Sequence, residues 1–533
     1  MKSLKCSLLS ALFLMSVSAH AETGTGILKA TGVKGGMIVH LGCGYGELTA
    51  SLRVNDRYFV QGLDNDMSDV ESARNALLAS KIYGDVAIMH LSGNKLPYTD
   101  DLVNLLVAEE PSGISRQEMM RVIAPLGVLY VKENGEWQKA VKPWPEDIGE
   151  WTHFLNNPRN NAVARDERVG SPRSLRWVSG PRWSRSHEEL ASVSAMVTAK
   201  GRVFYIVDDA PLLSLRFPST WKVIARDAFN GRKLWEQPIP NWVDKMRHFR
   251  SGPVHLPRRL VTVGENVFVT LGLDAPLSVL DAATGEILKT LQGTERTEEI
   301  VCFNDTLYLM VGTSESRRSG EGLARHGEPE PSATRVLKAI DINTDKELWS
   351  RDARGENYII PLSLTACEGQ VFFQSIKGIT CLDAKTGNER WHTPRPTVAR
   401  RYGWSSSTFV VADDVLLCTD RDARDAQGAE GDPQWVVSCF PLKSMPRGAA
   451  GVLKAYSTKD GRELWSSLGG KDGYNSPTDL FVIDSNVWTG PDFTRAYDLK
   501  TGAPTVTLPG RRAAVGMSHP RCYRNKASSN YIF

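Results

Sequence analysis

After residue 21 the chain has no apolar run long enough to cross a bilayer, which takes about 20 residues. This argues against a helical membrane-spanning protein. It has no excess of either charge: 64 Lys and Arg stand against 61 Asp and Glu, a net charge of +3 over 533 residues. So even a balance gives no reason to expect nucleic acid as a partner. The eight cysteines form neither a CxxC nor an adjacent Cys-Cys pair, and none of their spacings suits zinc. No collagenous or disordered bias is present, and 41% hydrophobic with 23% charged residues is an ordinary globular composition. What remains is a globular chain too long for one core, and its length implies about two to four domains.

The N-terminus reads as a secretory signal. Lys2 and Lys5 precede an apolar run over residues 6–18, and Ala19-His20-Ala21 supplies a small-x-small cleavage pattern. Cys6 stands at the start of the apolar run and not after it, so it is not a lipid acceptor. The expected mature protein is exported, either periplasmic or extracellular. It keeps seven cysteines, an odd number that cannot all pair internally. Most sit in apolar strand-like runs and are expected as buried free thiols, with one cross-strand disulfide left open.

Residues 37–41 form an apolar run suited to a buried parallel strand. Gly42-Cys43-Gly44-Tyr45-Gly46 follows, then a helical stretch from Glu47. A strand, a glycine turn and a helix start make a nucleotide cradle, because glycine lets the backbone approach a ligand closely. A second strand over 58–63 ends in Asp64, where a carboxylate would accept from ribose hydroxyls. This pattern, with LSGNKLPYTDDLVNLLVAEE and EMMRVIAPLGVLYV downstream, resembles the class I S-adenosylmethionine-dependent methyltransferases. The resemblance implies a Rossmann-like fold over 22–140, with Gly42, Gly44 and Gly46 facing the methionine part of the cofactor and Asp64 its ribose. It stops after Lys139, short of the family's last strands, and no substrate-binding extension follows. The cofactor is also made and held in the cytoplasm, whereas this chain carries an export signal. The expectation is therefore an abbreviated domain that is more scaffold than enzyme.

Downstream of residue 150 one unit recurs six times: DAFNGRKLW at Asp227, DAATGEILK at Asp281, DINTDKELW at Asp341, DAKTGNERW at Asp383, STKDGRELW at Ser457 and DLKTGAPTV at Asp498. Each unit follows an apolar strand. Asp at the strand end can bond the turn backbone, Gly can supply positive φ, and a Trp four residues on can pack between units. Repeats of this length with several strands indicate propeller blades. With the entry sequence WTHFLNNPRNNAV, the array resembles the pyrroloquinoline-quinone-like propellers of the eight-bladed type. That superfamily includes quinoprotein alcohol dehydrogenases and the outer-membrane assembly propeller lipoprotein.

The expected fold is thus multidomain, α/β followed by all-β. A linker and entry cover 141–180, and the propeller runs from 181 to 533 as six blades and the start of a seventh. That seventh start breaks off mid-strand, as in a truncated product. The pairing of the two modules resembles secreted proteins of planctomycete-type bacteria.

The blade openings are rich in Arg, His and aromatics. Arg185, His187, His248, Arg250, His255, Arg400, Arg401, Trp404, His519 and Arg521 are the candidate funnel residues. Residues 22–140 carry −4 and 141–533 carry +5, so the funnel suits an anionic glycan or an acidic protein partner. No metal site is expected. The acidic loop over 419–432 fails calcium-loop geometry at Arg424 and Gly431. The leading expectation is a binding or scaffold protein that needs no cofactor. The alternatives are a methyltransferase using S-adenosylmethionine and a dehydrogenase using pyrroloquinoline quinone. Against the second, the Cys-Cys pair of quinoprotein dehydrogenases is missing.

Overall fold

The computed structural model describes residues 23–109, 113–168, 170, 174–181, 193–213, 217–240, 256–312, 316–317, 328–329, 335–397, 408–420, 452–468, 479–490, 493–508 and 525–532. The chain joins a parallel-sheet Rossmann-like domain to a β-propeller.

The first domain is a six-stranded sheet in the order β3-β2-β1-β4-β5-β6. Its strands are β1 (Gly36–Leu41), β2 (Tyr58–Asp64), β3 (Val86–His90), β4 (Val103–Ala108), β5 (Ile123–Glu133) and β6 (Glu136–Val141). The first five are parallel, and β6 returns antiparallel from β5 through a tight hairpin. Helices α1 (Gly24–Thr31), α2 (Glu47–Ser51), α3 (Met67–Ala79) and α4 (Arg116–Val122) complete it. Asp66 and Ser115 cap α3 and α4 by accepting backbone N–H bonds. All six residues of β1 are buried, as expected of a central parallel strand covered on both faces. Ile38 and Val60 lie in the core of one face, and Met37, Val39 and Leu41 in that of the other.

The second domain contains six four-stranded antiparallel sheets. Blades 1 to 6 span 193–238, 260–291, 297–352, 365–394, 408–468 and 480–507. In each, the first strand is innermost and neighbours the first strand of the next blade. A seventh inner strand, Ala527–Ser528, pairs in parallel with β7 (Val163–Ala164).

The recurring unit is the hairpin between the third and fourth strands of each blade. In the unit at Asp383, one carboxylate oxygen accepts the N–H groups of Lys385 and Thr386. Gly387 follows with φ +71°. A Cβ at Gly387 would lie 2.7 Å from the Trp349 ring of the preceding blade. Trp349 Nε1 in turn donates to the Ala384 carbonyl at 3.0 Å. The same fastener joins Trp235 to Ala282, Trp391 to Thr458 and Trp465 to Leu499. Trp177, upstream of blade 1, fastens to Ala228 in the same way.

One junction is chemically exchanged. Blade 2 has Lys289 where blades 1, 3, 4 and 5 have Trp, and the next turn has Asp345 where the others have Gly. Lys289 Nζ donates to the Ile342 carbonyl and pairs with the Asp345 carboxylate. A Trp ring needs the bare glycine, whereas the slender Lys leaves room for a side chain and requires a charge partner. Gly387→Ala should therefore destabilise by about 2–4 kcal/mol through its clash with Trp349 and its positive φ. Lys289→Trp alone should cost about 1–3 kcal/mol. Lys289→Trp with Asp345→Gly should recover most of that loss, which urea unfolding of the two single variants and the double variant would measure as positive coupling.

Candidate functional site

The glycine loop forms as its sequence implies. Gly42, Gly44 and Gly46 have φ values of +68°, +47° and +84°. A side chain at Gly44 would meet nothing within 4 Å, so the loop faces open space there, while at Gly46 it would come within 3.1 Å of Ala73. Asp64, at the end of β2, is only 6% exposed. Its Oδ2 accepts the Gly44 N–H at 2.8 Å and its Oδ1 accepts the Asp66 N–H at 3.0 Å. One carboxylate oxygen therefore braces the glycine loop and the other the turn between β2 and α3.

Two neighbours of this loop carry no signal in spacing or periodicity. His40, on β1, is buried, and its Nδ1 lies 2.8 Å from Thr49 Oγ1 on α2. Its Nε2 is buried without a partner. Burial lowers its pKa to about 4 despite the opposing pull of Asp64, so the imidazole is neutral. Burial, reinforced by Asp64, pushes the Cys43 thiol up to about 12, which leaves it protonated and unreactive. Cys302, Cys367, Cys381 and Cys418 are likewise free and buried; Cys439 and Cys522 lie outside the described residues.

In the propeller, the segment 151–163 proves to be an axial element. It bonds, in order, one N–H from the penultimate residue of every described inner strand. Thr198 donates to the Trp151 carbonyl, Thr262 to Thr152, Ala366 to Pro158, Val411 to Arg159 and Ala527 to Ala162. Cys302 donates to His153 Nε2 at 3.0 Å, and Val482 to Asn161 Oδ1 at 3.0 Å. Lys526, next to the seventh inner strand, lies 4.3 Å over the Phe154 ring and 5.9 Å over that of Trp151, which bonds the first blade.

Beside this segment lies a buried charged network. Arg258 contacts Glu299 at 3.4 Å, the Leu364 carbonyl at 2.8 Å and Asn160 Oδ1. Arg335 pairs with Glu298 at 2.9 Å and stacks 4.7 Å over Tyr358. Arg395 approaches Asp420 at 3.9 Å and donates to Gln374 at 3.1 Å. Burial raises the Glu299 pKa against the pull of Arg258 and Arg335, and burial lowers that of Arg259 to about 10. The described cations of this network are thus matched by carboxylates, carbonyls or rings. All ten sequence-identified funnel candidates, from Arg185 and His187 through His248, Arg250, His255, Arg400, Arg401 and Trp404 to His519 and Arg521, lie outside the described residues. Among the described residues no group of three His, Cys, Asp or Glu side chains gathers as a metal site.

With this geometry in place, comparison with known proteins places the two modules. The family model described as outer membrane protein assembly factor BamB matches residues 323–436. The structure of BamB from Moraxella catarrhalis aligns at 13% identity and TM-score 0.33, covering 61% of this chain and 89% of that one. For the N-terminal domain, a SAM-dependent methyltransferase from Aquifex aeolicus aligns at 22% identity and TM-score 0.18, covering 20% of this chain and 62% of that one. Geranyl diphosphate C-methyltransferase from Streptomyces coelicolor aligns at 15% identity and TM-score 0.19, covering 20% and 44%. The chain spans about half the length of the methyltransferases it matches. Comparison with curated proteins yields no match. The sheets themselves give the two-domain architecture, a parallel-sheet Rossmann-like domain followed by a β-propeller, and the match to the PQQ-repeat, BamB family model falls within the propeller. No helix among the described residues is long and apolar enough to cross a membrane.

His153 supplies a test of the axial segment. Its pKa is lowered to about 3 by burial and by Arg258, while its Nε2 accepts from Cys302. The folded value lies below the unfolded one, so its stabilisation is complete above about pH 6.5 and is lost progressively as pH falls toward 3. Urea midpoints should fall over this range by the equivalent of about 1.4 kcal/mol per pH unit from this group. His153→Gln, which keeps an acceptor for Cys302, should flatten that part of the profile.

Proposed function

We propose that this chain is an exported binding or scaffold protein, whose propeller carries the binding function and whose Rossmann-like domain does not transfer methyl groups. The observation that carries this reading is Asp64. The acid that would take ribose hydroxyls is 6% exposed, and its two oxygens already accept from the backbone amides of Gly44 and Asp66. The neutral His40 and the protonated Cys43 behind the loop offer neither a charged base nor a nucleophile.

The propeller reading draws on where the axial segment sits. It bonds the C-terminal end of each described inner strand, so a ligand would enter from the side of their N-terminal ends. The family description matched by 323–436 names an assembly factor, which is consistent with protein or polymer recognition rather than turnover. The Arg- and His-rich sequences that precede several inner strands would favour an anionic partner, either an acidic glycan or an acidic protein segment.

Calorimetric titration of the purified full chain with S-adenosylmethionine should give no heat of binding up to millimolar ligand. Micromolar binding that disappears in Asp64→Ala would establish the methyltransferase reading instead. On an array of acidic and neutral glycans, binding should be confined to acidic ones and weaken as salt rises. It should fall in Arg250→Ala and in Arg401→Ala. Binding that is insensitive to salt and to both substitutions would remove the anionic-funnel assignment.

A further inference from the structure

The two domains meet through the first repeat turn of the propeller. Asn104, on β4, organises the contact: its Nδ2 donates to Asp227 Oδ2 at 2.7 Å, and its Oδ1 accepts from Met37 N and Asn230 Nδ2, both at 2.8 Å. Asn230 also reaches the Leu102 carbonyl at 3.0 Å, and Arg232 the Asp56 carbonyl at 2.6 Å. Beside these bonds lies a cleft of about 450 Å³. Met37 and Phe59 line it from the Rossmann sheet, and Arg226, Asn230, Arg232 and Lys233 from the turn.

The lining is chemically one-sided. It includes three cationic side chains and no carboxylate. Lys233 is paired with Glu236 at 2.8 Å. Neither of the two guanidiniums pairs with an acid among the described residues. Arg226 donates to Tyr205 Oη at 2.8 Å and to the Gly231 carbonyl at 2.9 Å, which orients it without neutralising it. Among the described residues Arg232 bonds only backbone carbonyls, both through Nη2, which leaves Nη1 as its available donor. Two oriented guanidiniums with unfilled donors match an oxyanion, and a thioether and a phenyl ring match an apolar body.

We propose that this interdomain cleft binds a small organic anion. Arg226 and Arg232 would hold its carboxylate or phosphate, and Met37 and Phe59 would cover its apolar part. The cleft lies at the N-terminal ends of β1 and β2, away from the glycine loop at their C-terminal ends. The inference is therefore independent of whether that loop binds a nucleoside.

Fluorescence titration of the full chain with 2-naphthoate, 2-naphthyl phosphate and the neutral 2-naphthol provides the test. At least one of the two anions should bind saturably and about tenfold or more tighter than 2-naphthol, and the tighter one identifies the headgroup. Arg226→Met should weaken that binding about tenfold or more. Met37→Trp, which fills the cleft and keeps the cations, should abolish it, and Asp64→Ala should leave it unchanged. Failure of both anions to bind would overturn the proposal, as would equal binding of 2-naphthol. Wild-type affinity in a folded Arg226→Met or Met37→Trp protein would do the same. Should either variant fail to fold, the comparison of anions with 2-naphthol in the wild-type chain decides.

Discussion

The propeller depends on a single stretch of backbone, residues 151–163. The innermost strand of a blade is a sheet edge, and its N–H groups on the axial side have no partner within the blade. Here one N–H from each described inner strand is bonded, in sequence, by a segment that is not part of any blade. Because the acceptors follow one another along thirteen residues, the blades are arranged around the segment in their chain order. His153 must be a neutral acceptor, and Asn160 and Asn161 must reach both strands and loops. The buried pair of Arg258 and Glu299 then attaches to Asn160 and to the Leu362 amide. Breaking such a buried pair on one side costs about 3–5 kcal/mol.

Around this axis the blades are held by contacts repeated at one position. The Trp ring of one blade lies on the bare turn glycine of the next, and its indole N–H bonds a carbonyl of the same turn. The junction with Lys289 and Asp345 meets the same requirement, a donor for the turn carbonyl, with different chemistry. The first copy of this turn, at Asp227, has a second task. Asn230 and Arg232 from it dock onto β2 and β4 and the segments just before them, so the turn that fastens blades also fastens the domains. The interdomain cleft, with two guanidiniums held by neutral acceptors, follows from that docking.

Much of the fold could be read from the sequence because its signals are local. The glycine turn after an apolar strand specifies the start of a Rossmann unit, and Asp-x-x-x-Gly before Trp specifies a hairpin whose ring must be covered. The acid at Asp64 was legible as a residue at a strand end, but not its orientation. Whether its oxygens face a ligand or the Gly44 and Asp66 amides depends on loop geometry. The entry sequence was legible as the approach to a propeller but not as its axial element. The acceptors it offers are mostly backbone carbonyls, which any sequence has.

The sequence by itself determined the two modules, their order, the repeat turn and the tryptophans that cover it, because each arises from spacing within a few residues. Only the tertiary structure decided which groups meet across long separations. It brought Asn104 to Asp227, Arg258 to Glu299 and Asn160, and His153 to Cys302, and it set Arg226 and Arg232 beside Met37 and Phe59 with no acid partner among the described residues. These meetings depend on how sheets and blades pack. Burial then sets the charge of His40, Cys43 and His153, and burial is a property of the assembled fold.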